Sequence, residues 1–269
     1  MAKTILITGS TDGIGLATAR VLLAEGHHII LHGRTAAKVK NSVTELSTTF
    51  DPDLISGFAA DLSDLNQVKT LANVVRQRLN TLDVLINNAG VFKADNTITA
   101  NGYDLRFVVN TIAPYLLTHE LTSLLVPGSR VVNLSSAAQA PVDIAALNGE
   151  VQLDEDFPAY AQSKLALTTW TRHLASEYAQ QGILLVSVNP GSLLATKMVK
   201  EGFGVAGHDI SQGADILQRA ALSDEFMNRS GEYYDNDSGQ FALPHEDALD
   251  SDKNQQIINA MDVIIKETL

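Results

Sequence analysis

An apolar run, Ile5-Leu6-Ile7-Thr8, leads without a spacer into Gly9-Ser10-Thr11-Asp12-Gly13-Ile14-Gly15, and a helical pattern begins inside that turn. A strand that turns this sharply into a helix needs residues that accept positive φ and let backbone approach backbone, which glycine supplies. The helix start that results carries unpaired N–H groups and the positive end of the helix dipole, so it suits an anion. Strand, glycine turn and helix in that order form the context in which such glycines bind the pyrophosphate of a dinucleotide.

The rest of the chain repeats the alternation. Strands are predicted at residues 5–8, 28–32, 54–59, 83–86, 130–134 and 183–188, with a last one inside Gly231-Glu232-Tyr233-Tyr234-Asp235-Asn236-Asp237 that runs into a turn. Helices are predicted over 13–25, 36–46, 64–79, 102–126 with Pro114 as a kink, 159–178, 212–222 with Ser211 as cap, and 252–266. The central strands are apolar throughout, as strands covered on both faces must be. Alternating strands and helices imply βαβ units with right-handed crossovers. The expected fold is therefore α/β, a Rossmann-type doubly wound parallel sheet with helices on both faces, in one domain over residues 1–269. Residues 192–210 lack a clear period and are expected to form a mobile loop with one short helix.

Composition narrows the function. The chain has no cysteine, which excludes disulfides, thiolate catalysis and Cys-ligated metals. Its histidines show no ligand spacing, so no metal is expected. The net charge of -12 repels phosphate backbones and argues against nucleic-acid partners. An anionic cofactor would have to be held by local geometry. No apolar run is long enough for a signal core or a bilayer span, so a cytoplasmic protein with no membrane partner is expected.

Tyr160-Ala161-Gln162-Ser163-Lys164 places a phenol and an ammonium one helical turn apart on one face. An ammonium beside a phenol favours phenolate and lowers its pKa, giving an acid that can protonate a carbonyl oxygen or a base in the reverse direction. The spacing is common by chance; its place between the fifth and sixth strands makes it specific. Ser135 and Ser136 close the fifth strand at its carboxyl end, where open α/β sheets hold ligands.

The glycine spacing T-G-x-x-x-G-x-G, the segment Asn87-Asn88-Ala89-Gly90 and the Y-x-x-x-K pair together resemble the short-chain dehydrogenase/reductase superfamily. The resemblance runs by motif over about residues 3–200. It implies hydride transfer between a nicotinamide and a small-molecule carbonyl compound or alcohol. It implies four catalytic residues: Ser136, with Ser135 its neighbour, on the substrate oxygen; Tyr160 as acid and base; Lys164 lowering the Tyr pKa and binding the nicotinamide ribose; and Asn110 supporting a water relay. For the cofactor it implies Gly9, Ser10, Thr11, Asp12, Gly13, Ile14 and Gly15 at the pyrophosphate, and Asp61 with Leu62 at the adenine. Asn88, Ala89 and Gly90 would line the cofactor, with Asn87 steadying the sheet. Pro190, Gly191 and Thr196 would meet the nicotinamide, although the chain carries one residue more before Thr196 than the family pattern.

Gly33 stands where NAD-selective relatives carry an acid, and Arg34 follows it, suited to a 2′-phosphate. Asp12 opposes this, since NADP-selective relatives often carry a base there. NADP(H) is the expected cofactor, with NAD(H) as the alternative.

The stretch between Ser136 and Tyr160 is long. Its extra residues, about 141–156, resemble the insertion of retinol-dehydrogenase-like and monomeric carbonyl-reductase-like members. They are expected either to form part of the pocket wall or to be a solvated insertion, and to weaken the homodimer or homotetramer of simpler members. Phe92 and residues 193–208 are expected to shape the pocket. Trp170 is expected in a core or an interface. The C-terminal extension, residues 231–269, has no assigned role. A non-catalytic dinucleotide sensor on the same fold is the rival reading; its mark would be a lost Tyr or Lys.

Overall fold

The computed structural model describes the backbone of residues 1–269 and every side chain except that of Phe203. Its strands are β1 (Thr4–Ile7), β2 (His28–Gly33), β3 (Ile55–Ala59), β4 (Val84–Asn87), β5 (Arg130–Leu134), β6 (Leu184–Asn189), β7 (Tyr233–Asp235) and β8 (Gln240–Ala242). They form one eight-stranded sheet in the order β3-β2-β1-β4-β5-β6-β7-β8. Neighbours from β3 to β7 pair in parallel, and β8 closes the edge antiparallel to β7. The chain winds outward from β1 to β3, then crosses back to β4 beside β1. That reversal opens a crevice at the carboxyl ends of β1 and β4, the usual ligand position in such sheets.

The helices are α1 (Gly13–Ala24), α2 (Ala36–Leu46), α3 (Leu65–Arg78), α4 (Leu105–Phe107), α5 (Ala113–Leu121), α6 (Ile144–Leu147), α7 (Asp156–Gln180), α8 (Lys197–Phe203), α9 (Ser211–Leu222) and α10 (Ser251–Thr268). Side chains alternate across the sheet and build two cores. Leu6, Leu85, Val131 and Leu185 face α3, α5, α7 and α10 through Leu71, Leu117, Leu167 and Met261. Ile5, Ile7, Ile86 and Val186 face α1 and α9 through Leu22 and Leu217. The predicted doubly wound sheet is thus the observed one. Trp170 is fully buried in the first core.

Several elements differ from the sequence expectations. The helix expected over 102–126 starts at Leu105 and passes through a π turn, Val108–Ile112, before α5. Pro114 has no N–H to give the carbonyl four residues back, that of Asn110, so the α ladder cannot run through. Ser211 is not a cap but the first residue of α9; its N–H donates to the Asp209 carboxylate at 2.9 Å. The last strand continues into a hairpin with β8, whose three residues are too few to show a period.

The insertion is part solvated and part packed, with Glu150, Val151, Gln152, Asp154 and Glu155 exposed. Ala146 and Leu147 of α6 are buried in the first core, and α10 packs against α6. Asp156 starts α7 and accepts from Arg106 Nη1 at 2.8 Å, while buried Arg106 also pairs with Asp104 at 2.6 Å. Burial lowers the Arg106 pKa, but the two carboxylates outweigh it and hold the group above its ordinary value. A buried guanidinium needs such partners. Among the described residues no helix is long and apolar enough to cross a membrane, and no His/Asp/Glu group could hold a metal ion.

Candidate active site

The carboxyl ends of β1, β2, β4, β5 and β6 converge on a cavity of about 820 Å³. At one end lies the glycine turn. Gly9 has φ 65°, and a Cβ there would come within 2.8 Å of the Ala89 Cα. Gly13 has φ 58°, and an added Cβ would meet only Thr196 Cγ2, at 3.8 Å. Gly9 therefore lets two loops close on each other, and Gly13 leaves the cradle open to a ligand.

The turn residues do not act alike. Gly9, Asp12, Gly13 and Ile14 line the cavity. Ser10, Thr11 and Gly15 do not. Ser10 is buried, donating from Oγ to the Ile7 carbonyl at 2.8 Å and accepting the His32 N–H at 3.0 Å. Thr11 fills the space beside Gly33, where a Cβ would lie 2.6 Å from Thr11 Cγ2. Gly15 lets the Asn88 amide approach, since a Cβ there would lie 2.5 Å from Asn88 Nδ2. These three shape the turn from behind. Asp12 caps α1, its carboxylate accepting the Gly13 N–H at 2.7 Å.

Arg34, Asp61, Leu62, Asn88, Ala89, Gly90, Pro190, Gly191 and Thr196 all line the cavity. Arg34 is exposed just beyond β2. Asn88 Nδ2 ties β4 to β1 through the carbonyls of Thr8 at 2.7 Å and Gly9 at 3.1 Å. Asn87 Nδ2 does the same between β4 and β5, donating to Asn133 Oδ1 at 2.8 Å. In the loop after β6, Leu193 takes φ 50°. Thr196 keeps its place, with its hydroxyl capping α8 by accepting the Val199 N–H at 3.2 Å.

At the other end α7 presents Tyr160 and Lys164. Lys164 Nζ lies 5.6 Å from the Tyr160 ring centroid and donates to the Leu134 carbonyl at 2.6 Å. Tyr160 shares a side-chain hydrogen bond with Ser136. The Ser135 hydroxyl is engaged with Thr168 Oγ1 at 2.6 Å, which distinguishes the two serines. Burial pushes the Tyr160 phenol up, opposed by the Ser136 hydrogen bond. Burial pushes the Lys164 ammonium down to about 7. Lys164 turns to a backbone carbonyl in a dry site, so desolvation dominates both groups.

Asn110 sits on the π turn, but its side chain does not line the cavity. Its Oδ1 accepts the Val91 N–H at 2.7 Å, and its Nδ2 donates to the Val91 carbonyl and Ser163 Oγ, each at 2.9 Å. The side chain therefore pins the segment after Gly90. Around Tyr160 the lining is apolar: Phe92, Leu105, Val109, Phe157, Leu193 and Met198. No residue of 141–156 contributes.

The family model described as short chain dehydrogenase matches residues 3–204. The chain belongs to the short chain dehydrogenase family. The chain is 28% identical over 253 residues to retinol dehydrogenase 13 of Homo sapiens, covering 87% of this chain and 76% of that one. It is 31% identical over 257 residues to polyprenol dehydrogenase of Homo sapiens, covering 87% and 77%. Among solved structures it resembles an uncharacterised protein from Mycobacterium paratuberculosis, with TM-score 0.81, 25% identity and 98% and 93% coverage. It shares the fold of a short chain dehydrogenase from Burkholderia cenocepacia solved in complex with NADP, with TM-score 0.70, 24% identity and 88% and 97% coverage.

The sequence motifs do not mark His32 and Phe157 in the lining, nor Gln139, Tyr233 and Asp237 behind it. His32 carried one signal, a histidine closing an otherwise apolar strand next to Gly33-Arg34. The others take their places through long-range packing and contacts that leave no pattern in the sequence.

Proposed function

We propose that the chain is an NADP(H)-dependent oxidoreductase that interconverts an apolar ketone or aldehyde and its alcohol. One observation carries the reading: Tyr160, hydrogen-bonded to Ser136 beside Lys164, faces the same cavity as the glycine turn and Arg34. The cradle fits a dinucleotide, because Gly13 leaves space where any side chain would intrude. Gly9, Gly13 and Ile14 would hold the pyrophosphate, Asp61 and Leu62 the adenine, and Pro190, Gly191 and Thr196 the nicotinamide. Bound there, the nicotinamide supplies or accepts the hydride.

The chain's own groups manage the oxygen and the proton. Ser136 Oγ donates to the substrate oxygen and fixes its position. The Tyr160 phenol, held neutral by burial, gives its proton to that oxygen as negative charge develops. Lys164, poised near neutral pH, stabilises the phenolate left behind and binds the ribose. The apolar wall from Phe92 to Met198 excludes water and favours a large apolar substrate. The retinol and polyprenol dehydrogenases among the relatives are named for long apolar alcohols, in keeping with that wall. Arg34 at the adenosine end favours the 2′-phosphate; Asp12 is the observation that favours NAD(H) instead.

Titrating protein fluorescence with NADPH and NADH, then following loss of reduced nicotinamide over a panel of apolar and polar carbonyl compounds, tests the proposal. NADPH should bind more tightly than NADH, and apolar carbonyls should turn over fastest. No binding of either nucleotide would end it.

A further inference from the structure

No motif marks the β7–β8 hairpin, yet it reaches both loops that carry the site. Tyr233 on β7 is buried, and its hydroxyl donates to the Ser136 backbone carbonyl at 3.1 Å. Gln139 Nε2 donates to the same carbonyl at 3.0 Å. The Ser136 peptide is thus gripped on its carbonyl side while its hydroxyl turns toward Tyr160.

One turn further on, Asp237 grips the loop after β6. Its Oδ1 accepts the Ser192 N–H at 2.8 Å, and its Oδ2 accepts from Ser192 Oγ at 2.6 Å and Asn189 Nδ2 at 2.9 Å. Beside it, Asn236 Nδ2 donates to the Pro190 carbonyl at 2.9 Å. The gripped loop needs support from outside. Gly191 has φ 118° and Leu193 φ 50°, so no regular ladder runs through it.

These polar contacts are not what folds the hairpin. Tyr234, Phe241 and Phe226 pack edge to face or tilted at 5.0 to 5.3 Å between centroids and bury the other side of β7 and β8. Tyr233 and Asp237 are spent on the loops instead.

We propose that the hairpin positions both halves of the reacting site, Tyr233 setting Ser136 against the substrate oxygen and Asp237 setting residues 190–192 against the nicotinamide. The kinetic part rests on the proposed NADP(H) chemistry; the positioning itself does not. Neither residue touches a reactant, so both are positioning residues.

The test pairs Tyr233→Phe with Asp237→Ala in the full chain. Amide hydrogen exchange is read on the free protein, NADPH affinity by fluorescence, and kcat on a carbonyl compound the wild type reduces. Asp237→Ala should raise exchange over residues 190–194 about tenfold and weaken NADPH several-fold, leaving 136–140 unchanged. Tyr233→Phe should raise exchange over 136–140 and lower kcat several-fold at unchanged NADPH affinity. If Asp237→Ala fails to fold, Ser192→Ala removes one contact of the same grip and should show the same pattern at smaller size. Exchange that changes in both segments alike, or in neither, overturns the proposal. A split in exchange in a protein that binds no NADPH upholds the positioning and removes the cofactor reading.

Discussion

His32 Nδ1 accepts the Gly9 N–H at 3.1 Å while its Nε2 meets the Ala60 carbonyl at 3.0 Å. One neutral imidazole, protonated at Nε2, thereby joins the glycine turn to the ends of β2 and β3. Burial pushes its pKa down to about 4. Between about 4 and 6.5 the unfolded chain binds more protons at this site, so its contribution to stability is lost as pH falls through that window.

His32→Phe keeps an aromatic ring, a larger one, and removes both hydrogen bonds. It should cost about 2 kcal/mol at pH 7, the penalty of stranding buried backbone groups. It should also flatten the fall in stability from pH 6.5 to 4. Urea unfolding of both proteins at pH 4.5 and 7 checks this; an unchanged pH slope would mean the imidazole does not hold the turn.

Lys164 gives the opposite end of the pH scale. Its folded pKa of about 7 lies below the ordinary 10.5. Across that interval the unfolded chain holds more protons, so stability gains as pH rises through it. Lys164→Met should abolish turnover and be more stable than the wild type at pH 6. That advantage should shrink by pH 9, as measured by unfolding free energies. An advantage independent of pH would show that the amine is not desolvated.

Asp12 places a carboxylate at the α1 start, on the cavity wall. Asp12→Asn retains the cap acceptor and removes the charge. NADPH affinity should rise about threefold to tenfold at low salt, and less at high salt, because the charge is exposed and screened. Titration at two ionic strengths reads the effect, and a weaker affinity would place the carboxylate among the cofactor's ligands, as on an NAD(H) site.

Leu193, with φ 50°, lines the cavity mouth half-exposed. Leu193→Gly relieves the backbone, a gain of about 1 kcal/mol after the greater freedom of glycine in the unfolded chain is offset. It also opens the mouth, so KM for an apolar carbonyl should rise. A loss of stability in thermal or urea unfolding would show that the side chain outweighs the strain.

The doubly wound sheet was legible because strands buried on both faces and a glycine turn leave strong local patterns. Gly9, Gly13, Tyr160 and Lys164 were legible as positions, from their spacing together with where they fall among the strands. Asn110 was legible as a position but not as a contact, since only the fold brings Val91 and Ser163 to its amide. The π turn went unseen because Pro114 reads as a kink without stating which carbonyl it deprives. The insertion read as pocket wall or loop, because Ala146 and Leu147 are too few to show a buried face. Tyr233 and Asp237 were invisible: a hydroxyl and a carboxylate that each serve a loop over 40 residues away in sequence obey no period.

The central claim is that Tyr160 and Ser136 act on a carbonyl oxygen while NADPH reduces its carbon. Incubating the protein with NADPH deuterated at nicotinamide C4 and a set of apolar ketones and aldehydes, then weighing the alcohols by mass spectrometry, tests it most directly. The account predicts alcohol carrying one deuterium from the wild type, and none from Tyr160→Phe, which still binds NADPH. Deuterated alcohol from Tyr160→Phe at the wild-type rate, or none from the wild type with any of these carbonyl compounds, would contradict it.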